Sequence, residues 1–235
     1  YQKNTMIKLE NITKEYITDA GPVKALNGID LSIPDGEIIA ITGQSGSGKS
    51  SLMNVIGCLD SPTSGRYFID TADIGSLSDF QLSRLRGKIF GFIFQSYNLL
   101  PRLTALEQVE LPLIYQKDPN RRIKAATALA MLGLAERIYH TPNQLSGGEQ
   151  QRVAIARSIV INPKIILADE PTGALDTKTS TEVMDILIKL AKEQGITIVL
   201  VTHEPHIASL AERQIKMSDG NITEDSYTKN NGLVS

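Results

Sequence analysis

The stretch Gly43-Gln44-Ser45-Gly46-Ser47-Gly48-Lys49-Ser50 limits what this chain can fold into more than any other. It matches G-x-x-x-x-G-K-[ST], the pattern of a phosphate-binding loop, and its flanks supply the context that the pattern needs. Ile38-Ile39-Ala40-Ile41 before it is a short apolar run of the kind carried by buried parallel strands. Leu52, Met53, Val55 and Ile56 after it form the apolar face of a helix. In a strand–loop–helix unit the glycines take conformations closed to other residues, so successive N–H groups turn toward phosphate oxygens. The helix adds its unpaired amides and the positive end of its dipole. Lys49 then reaches the terminal phosphates and the Ser50 hydroxyl ligates Mg²⁺. The candidate nucleotide-binding residues run from Gly43 through Gln44, Ser45, Gly46, Ser47, Gly48, Lys49 and Ser50 to Ser51. The bland alternative, a Gly/Ser-rich turn that meets the pattern by chance, is weakened by the strand and helix signals on either side.

Composition bounds the class. At 235 residues the chain fits one large α/β domain or two small ones. Its 41% hydrophobic and 21% charged residues are those of an ordinary globular chain, which argues against a disordered one. A net charge of −2 gives no reason to expect a nucleic-acid partner. Cys58 is the only cysteine, so no intrachain disulfide exists and a reducing cytosolic setting is the easier assumption. Cys58 itself reads as a small buried apolar residue on the post-loop helix. No apolar run approaches the roughly 20 residues that span a bilayer, and the N-terminus carries no secretory core. Work at a membrane would therefore go through a partner or a segment outside this chain. Residues Tyr1 to Thr5 precede a methionine and read as a remnant or as part of a longer native start.

Along the chain, Ile7, Leu9 and Ile12, then Ile29, Leu31 and Ile33, alternate with polar residues and predict half-buried antiparallel strands, the second ending at Pro34-Asp35-Gly36. A strand is expected over Arg66–Asp70 and another apolar one from Ile89 to Phe94, ending at Gln95. From Thr104 to about Ile161 the pattern turns helical. Thr104 with Glu107 is a capping signature, Gly133 is placed to end a helix over Ala125–Leu132, and Gly195 to end one over Thr179–Glu193. Ile165–Ala168 and Ile196–Val201 read as parallel strands around that last helix. The expectation is one α/β domain over 1–235, with a β-rich start, a helical subdomain over about 96–160 and a loose polar tail over about 223–235.

Three further places carry chemistry. Asp169-Glu170 closes an apolar strand, where ligands sit in nucleotide-binding α/β folds. There an aspartate holds Mg²⁺ and a neighbouring glutamate orients or deprotonates water; the ordinary reading is an acidic turn before Pro171. His203 and Gln95 also end apolar strands, His203 as a contact to the γ-phosphate and Gln95 as a neutral Mg²⁺ or water ligand. His140 and His206 lack that context and read as surface or capping residues. Leu145-Ser146-Gly147-Gly148-Glu149-Gln150-Gln151-Arg152 makes a second anion-binding helix start. One nucleotide seldom needs two phosphate cradles on one chain, so this one is expected to face a nucleotide held by another copy.

Together these stretches resemble an ATP-binding subunit of an ABC transporter over nearly the whole chain. The phosphate loop, Gln95, the signature Leu145–Gln151, the Walker B strand Ile165–Asp169, Glu170, the D-loop Gly173-Ala174-Leu175-Asp176 and His203 occur in the family's order. The runs Gly57–Asp60, Gly91–Gln95, Ala168–Asp176 and Val201–Glu204 are similar to the macrolide-exporter (MacB) type, with the lipoprotein-releasing LolD type as its relative and a soluble ABC protein acting on nucleic acid or ribosomes as a more distant alternative. Glu149 departs from the glutamine usual in the signature. The resemblance implies an α/β P-loop NTPase of ABC type, with a mainly parallel core sheet, an antiparallel β lobe and a helical subdomain. It implies ATP and Mg²⁺ and a head-to-tail homodimer. In that dimer the nucleotide lies between Lys49's loop and Ser146, Gly147, Gly148 and Glu149 of the other copy. Glu170, His203 and Lys49 would be catalytic, Ser50, Gln95 and Asp169 would hold the metal, and Asp176 would link the two sites. Tyr16, placed at the end of the first strand, would stack on adenine. Ser96-Tyr97-Asn98-Leu99-Leu100 would touch a transmembrane permease, through exposed leucines, at the cytoplasmic face of the inner membrane.

Overall fold

The computed structural model describes residues 5–19 and 21–228. In chain order the elements are β1 (Thr5–Thr18), β2 (Gly21–Pro34), β3 (Ile38–Gly43), α1 (Lys49–Ile56), β4 (Ser64–Ile69), β5 (Ala72–Asp73), α2 (Asp79–Ile89), β6 (Phe90–Phe94), α3 (Ala105–Tyr115), α4 (Arg121–Met131), α5 (Gly147–Ile159), β7 (Ile165–Asp169), α6 (Thr177–Gln194), β8 (Thr197–Val201), α7 (Pro205–Ala208), β9 (Arg213–Ser218) and β10 (Asn221–Tyr227). They build two sheets. The antiparallel one has the order β2-β1-β4-β5, and the other runs β10-β9-β3-β8-β7-β6. In the second sheet β9, β3, β8, β7 and β6 are parallel and β10 is antiparallel to β9.

The unbroken apolar runs of β3, β7 and β8 follow from burial on both sides. Side chains alternate across a strand, so Ile39, Ile41, Ile165, Leu167, Val199 and Val201 enter one core while Ile38, Ala40, Ile166, Ala168, Ile198 and Leu200 enter another. The first core is closed by α1 and the apolar face of the antiparallel sheet, through Ile7, Leu9, Ile12, Ile29, Leu31 and Ile33. The second is closed by α3, α4, α5 and α6. The large central sheet thus has a β lobe on one side and helices on the other. That sandwich fixes which strand ends come together.

The Thr104–Glu107 box caps α3 as its sequence predicts, with Thr104 N and Oγ1 each donating to Glu107 Oε2 at 2.8 Å. Several expectations need correction. Residues 223–227 are not loose tail but the body of β10, paired with β9; residues 229–235 lie outside the described residues. Tyr16 does not end β1, which runs two residues further to Thr18. The helix expected from Thr179 begins at Thr177, because Asp176 caps it. Of the two leucines expected at the surface, Leu100 is half exposed but Leu99 packs on the helical core. Helix α2 has no counterpart in the sequence reading.

Candidate nucleotide-binding site

Strand register gathers the site. Phe94 lies opposite Asp169, Asp169 opposite Val201, and Val201 opposite Ile41. The residues that follow, Gln95, Glu170, Thr202-His203 and the loop from Gly43, therefore leave the sheet along one carboxyl edge, where α/β folds bind ligands. Alongside runs an open cavity of about 540 Å³ lined by Thr42, Gly43, Gln44, His203 and Lys216 among others.

The loop is held close to its neighbours. A Cβ on Gly43 would lie 2.3 Å from the Met217 carbonyl oxygen and 2.7 Å from Ser47 Oγ, and its φ is +147°, so glycine alone fits. Ser47 is buried, and its hydroxyl has no hydrogen-bond partner among the described residues. Gly48 precedes α1 in the left-handed region, no side chain caps that helix and no acid sits in its first turn. The amides at the start of α1 are thus left to an anion. The Lys49 ammonium folds back onto the loop, donating to the carbonyls of Gly43 at 2.9 Å and Gln44 at 2.8 Å. Ser50 and Ser51 follow on α1's first turn, with the Ser50 side chain exposed.

Opposite the loop stand two carboxyls. Burial pushes the Asp169 carboxyl up and the charge of Glu170 adds to that, while Lys49 pulls it back. Glu170 sits at φ +48°, a left-handed conformation for a non-glycine residue. Its amide donates to the Val201 carbonyl at 2.9 Å and its carbonyl accepts from Gly173 N at 3.1 Å, so the turn is pinned at both ends. Glu170 Oε1 is 2.8 Å from His203 Nδ1. Its Oε2 is buried with no hydrogen-bond partner among the described residues. The bond to Glu170 and then its charge hold the His203 imidazole above its ordinary value. Gln95 lies beside this turn: a Cβ on Gly173 would come within 2.8 Å of its Nε2.

The oxygen donors here, the Ser50 hydroxyl, the Asp169 carboxylate and the Gln95 amide, suit a hard cation. Among the described residues no group of three or more His, Cys, Asp or Glu side chains forms a metal cage. The set fits Mg²⁺, which keeps few protein ligands and completes its shell with phosphate and water.

The second glycine turn stands elsewhere. Ser146 caps α5 in a box with Glu149: Ser146 N and Oγ donate to Glu149 Oε2 at 2.8 and 2.9 Å, and Oγ accepts from Glu149 N at 3.3 Å. The other carboxylate oxygen accepts from Arg137 Nε at 3.1 Å. The bond from the Ser146 backbone leads in holding the Glu149 carboxyl below the usual range. Gly147 and Gly148 pack against Tyr97, Leu175 and Thr179, whereas the phosphate loop packs against Ala25, Met217 and Gly220. Asp176 is spent on its own helix, accepting from Thr179 Oγ1 at 2.6 Å and from the amides of Lys178 and Thr179, each at 3.1 Å.

Tyr16 lies on β1 with its hydroxyl donating to Asp60 Oδ2 at 2.9 Å and the Lys14 ammonium 4.9 Å from its ring centroid. Asp60 and Arg137 bond the candidate residues Tyr16 and Glu149, with Lys14 on Asp60, and the sequence marks none of these contacts. Asp60 lay inside a stretch the sequence reading singled out, but nothing local marks the bond to Tyr16, 44 positions away.

A family model described as "ABC transporter" matches residues 26–173. The ABC transporter ATP-binding protein YknY of Bacillus subtilis is 53% identical over 219 residues, covering 92% of this chain and 95% of that protein. The macrolide export ATP-binding/permease protein MacB of Marinobacter nauticus is 50% identical over 222 residues, covering 94% of this chain but 34% of that protein. This chain therefore spans about a third of that relative's length. Among solved structures, a dimeric post-hydrolysis state of the ATP-binding cassette MJ0796 bound to ADP and Pi matches with a TM-score of 0.88 and 46% identity, covering 95% of this chain and 99% of that one. MJ0796 comes from Methanocaldococcus jannaschii.

Proposed function

Because this chain belongs to the ABC transporter ATP-binding family and is an ATPase, we propose that it powers a MacB-type transporter by closing as a head-to-tail dimer on two ATP molecules. The observation that carries this reading is a second glycine-rich helix start, capped by Ser146, that packs in surroundings separate from the uncapped start after Gly48. One chain brings the uncapped start to a nucleotide, and a second copy supplies the capped one. The dimeric MJ0796 cassette supports the reading. The likeness to MacB proteins supports the transporter type. The LolD type would use the same residues, and the membrane partner separates the two. No helix among the described residues is long and apolar enough to cross a membrane, so the cassette would reach the cytoplasmic face of the membrane through its permease. A groove of about 440 Å³ lined by Leu59, Phe92, Phe94, Asn98 and Tyr115 among others is the surface proposed for that permease.

Hydrolysis proceeds by attack of water on the γ-phosphorus with ADP leaving, and the protein's work is positioning and charge stabilisation. Lys49 exchanges the Gly43 and Gln44 carbonyls for phosphate oxygens. Glu170 takes the proton of the attacking water. His203, tethered through Nδ1, presents its other ring nitrogen toward the γ-phosphate. Ser50, Asp169 and Gln95 would hold Mg²⁺, which would neutralise charge on the phosphates when bound. On the partner copy, Gly147 and Gly148 offer the amides at the start of α5. The experiment is light scattering on Glu170→Gln with and without Mg²⁺-ATP. A mass that doubles from 25.6 kDa only with ATP is expected; a monomer under both conditions would overturn the dimer. Lys49→Ala should lose nucleotide affinity, and unchanged binding by calorimetry would remove the phosphate role.

A further inference from the structure

Tyr16 is not a free strand residue. Its hydroxyl donates to Asp60 Oδ2 at 2.9 Å, and Lys14 Nζ donates to Asp60 Oδ1 at 2.6 Å and to the Ser61 carbonyl at 2.8 Å. The Lys14 ammonium also lies 4.9 Å from the Tyr16 ring centroid, within cation–π range. Lys14 is only 12% exposed and Asp60 30%, so this pair is better shielded from solvent than an ordinary surface bridge. Asp60 in turn is fixed from its own side. Its amide donates to the Asn54 carbonyl at 3.2 Å and its Oδ1 accepts from Ser61 N at 2.8 Å.

The surrounding backbone is stitched in the same direction. Thr63 N donates to the Thr13 carbonyl at 2.8 Å, Glu15 N donates to Thr63 Oγ1 at 2.9 Å, and the Thr13 and Ser64 hydroxyls meet at 2.7 Å. The β1–β2 register shifts between Lys14 and Glu15, and such irregularities re-aim side chains. One continuous path thus runs from the phosphate loop along α1 to Asp60, and from Asp60 to the Tyr16 ring.

We propose that Asp60 and Lys14 are positioning residues for nucleotide binding: they lock the Tyr16 ring, with a cation over it, in register with the phosphate loop as a platform for the purine base. This rests on the reading of Tyr16 as the adenine contact. The tyrosine alone has a free hydroxyl and a rotatable ring; bonded to Asp60 it is preorganised, and preorganisation lowers the cost of binding. The contribution concerns the base, so it enters affinity for ATP and not the turnover step.

The test uses the full chain and two probes, ATP and inorganic tripolyphosphate, each with Mg²⁺, by calorimetry. Tyr16→Ala should weaken ATP about tenfold, the scale of one lost base–aromatic stack. Tyr16→Phe, Asp60→Asn and Lys14→Met should each weaken it about 3- to 10-fold, while tripolyphosphate affinity stays at the parent value because that probe carries no base. In a Tyr16→Ala background Asp60→Asn should add nothing. If Tyr16→Ala leaves ATP affinity intact, the reading of Tyr16 itself fails. If Tyr16→Ala weakens ATP but Asp60→Asn and Lys14→Met do not, the positioning role fails alone. Equal loss of ATP and tripolyphosphate in Asp60→Asn would make Asp60 a support of the fold, and the proposal would fall.

Discussion

Glu170 and His203 hold each other through one 2.8 Å bond, and its consequence is a titration. The imidazole pKa is raised by that bond, so the protonated, paired form is complete below the ordinary value near about 6.5 and is lost as pH rises through the raised value. NMR titration of His203 in the nucleotide-free protein should show this upward displacement, and Glu170→Gln should reduce it. An identical curve in both proteins would mean that the bond does not exist in solution. His203 is 65% exposed on its side chain, so the bond matters for where the ring and the carboxylate point more than for stability. As candidates, Asp169, Glu170 and His203 were legible because each follows an apolar run, and Lys49 because it completes the glycine-loop pattern. Their pairing was not: the two residues are 33 positions apart, and only the register of β7 with β8 brings them together. The left-handed turn at Glu170 was equally hidden, since glutamate carries no local signal for it.

The start of α5 shows how a helix end serves two purposes. Glu149 closes the capping box on Ser146, a task glutamine performs as well, so the acid's extra charge is surplus to the cap. Next to a phosphate that charge repels, and the 3.1 Å bond to Arg137 offsets it. Arg137→Gln should therefore raise the ATP concentration needed for dimerisation of Glu170→Gln, by about 3- to 10-fold if the pair is worth ~1 kcal/mol. Adding Glu149→Gln should restore it. A midpoint unmoved by Arg137→Gln, measured by light scattering, would rule out the compensation. Gly148 fixes the same end by contact: a Cβ would lie 2.5 Å from Thr179 Cγ2. Gly148→Ala should cost about 1–3 kcal/mol by overpacking, and Thr179→Ser should recover part of it in urea melts. Caps of this sort were readable in the sequence because they are local. Helix α2 has a capping box from Ser78 and Gln81, but its apolar residues Leu82, Leu85 and Ile89 are only partly buried, so its sequence signal is modest. Strand β10 was mistaken for tail for a related reason: it pairs on one edge only, and nearly all its side chains are exposed.

The β9–β10 edge of the large sheet borders the phosphate loop, and there Arg213 ties the antiparallel sheet to the central one. Its guanidinium donates to both oxygens of Asp225 on β10 at 2.6 Å, to the Ser32 carbonyl on β2 at 2.8 Å, and to Glu37 Oε2 ahead of β3 at 3.3 Å. The Asp225 bonds lead in raising the Arg213 pKa, so the charge is permanent. The arrangement joins the antiparallel sheet, the central sheet and β10, which explains why a polar, one-sided strand stays in place. Glu37 is 3% exposed and Arg213 8%. Removing the arginine would leave Glu37 buried and unpaired, a situation that costs about 3–5 kcal/mol. Removing Asp225, whose side chain is 37% exposed, leaves Arg213 its bonds to Ser32 and Glu37. Urea denaturation should therefore rank Arg213→Ala well below Asp225→Asn in stability, with Arg213→Ala/Glu37→Gln recovering part of the loss because the orphaned charge is gone. The effect should reach the nucleotide site, because β9 carries Met217, whose carbonyl lies against Gly43. If Arg213→Ala and Asp225→Asn proved equally mild, β10 would be held by its ladder alone and the buried arginine would tie nothing.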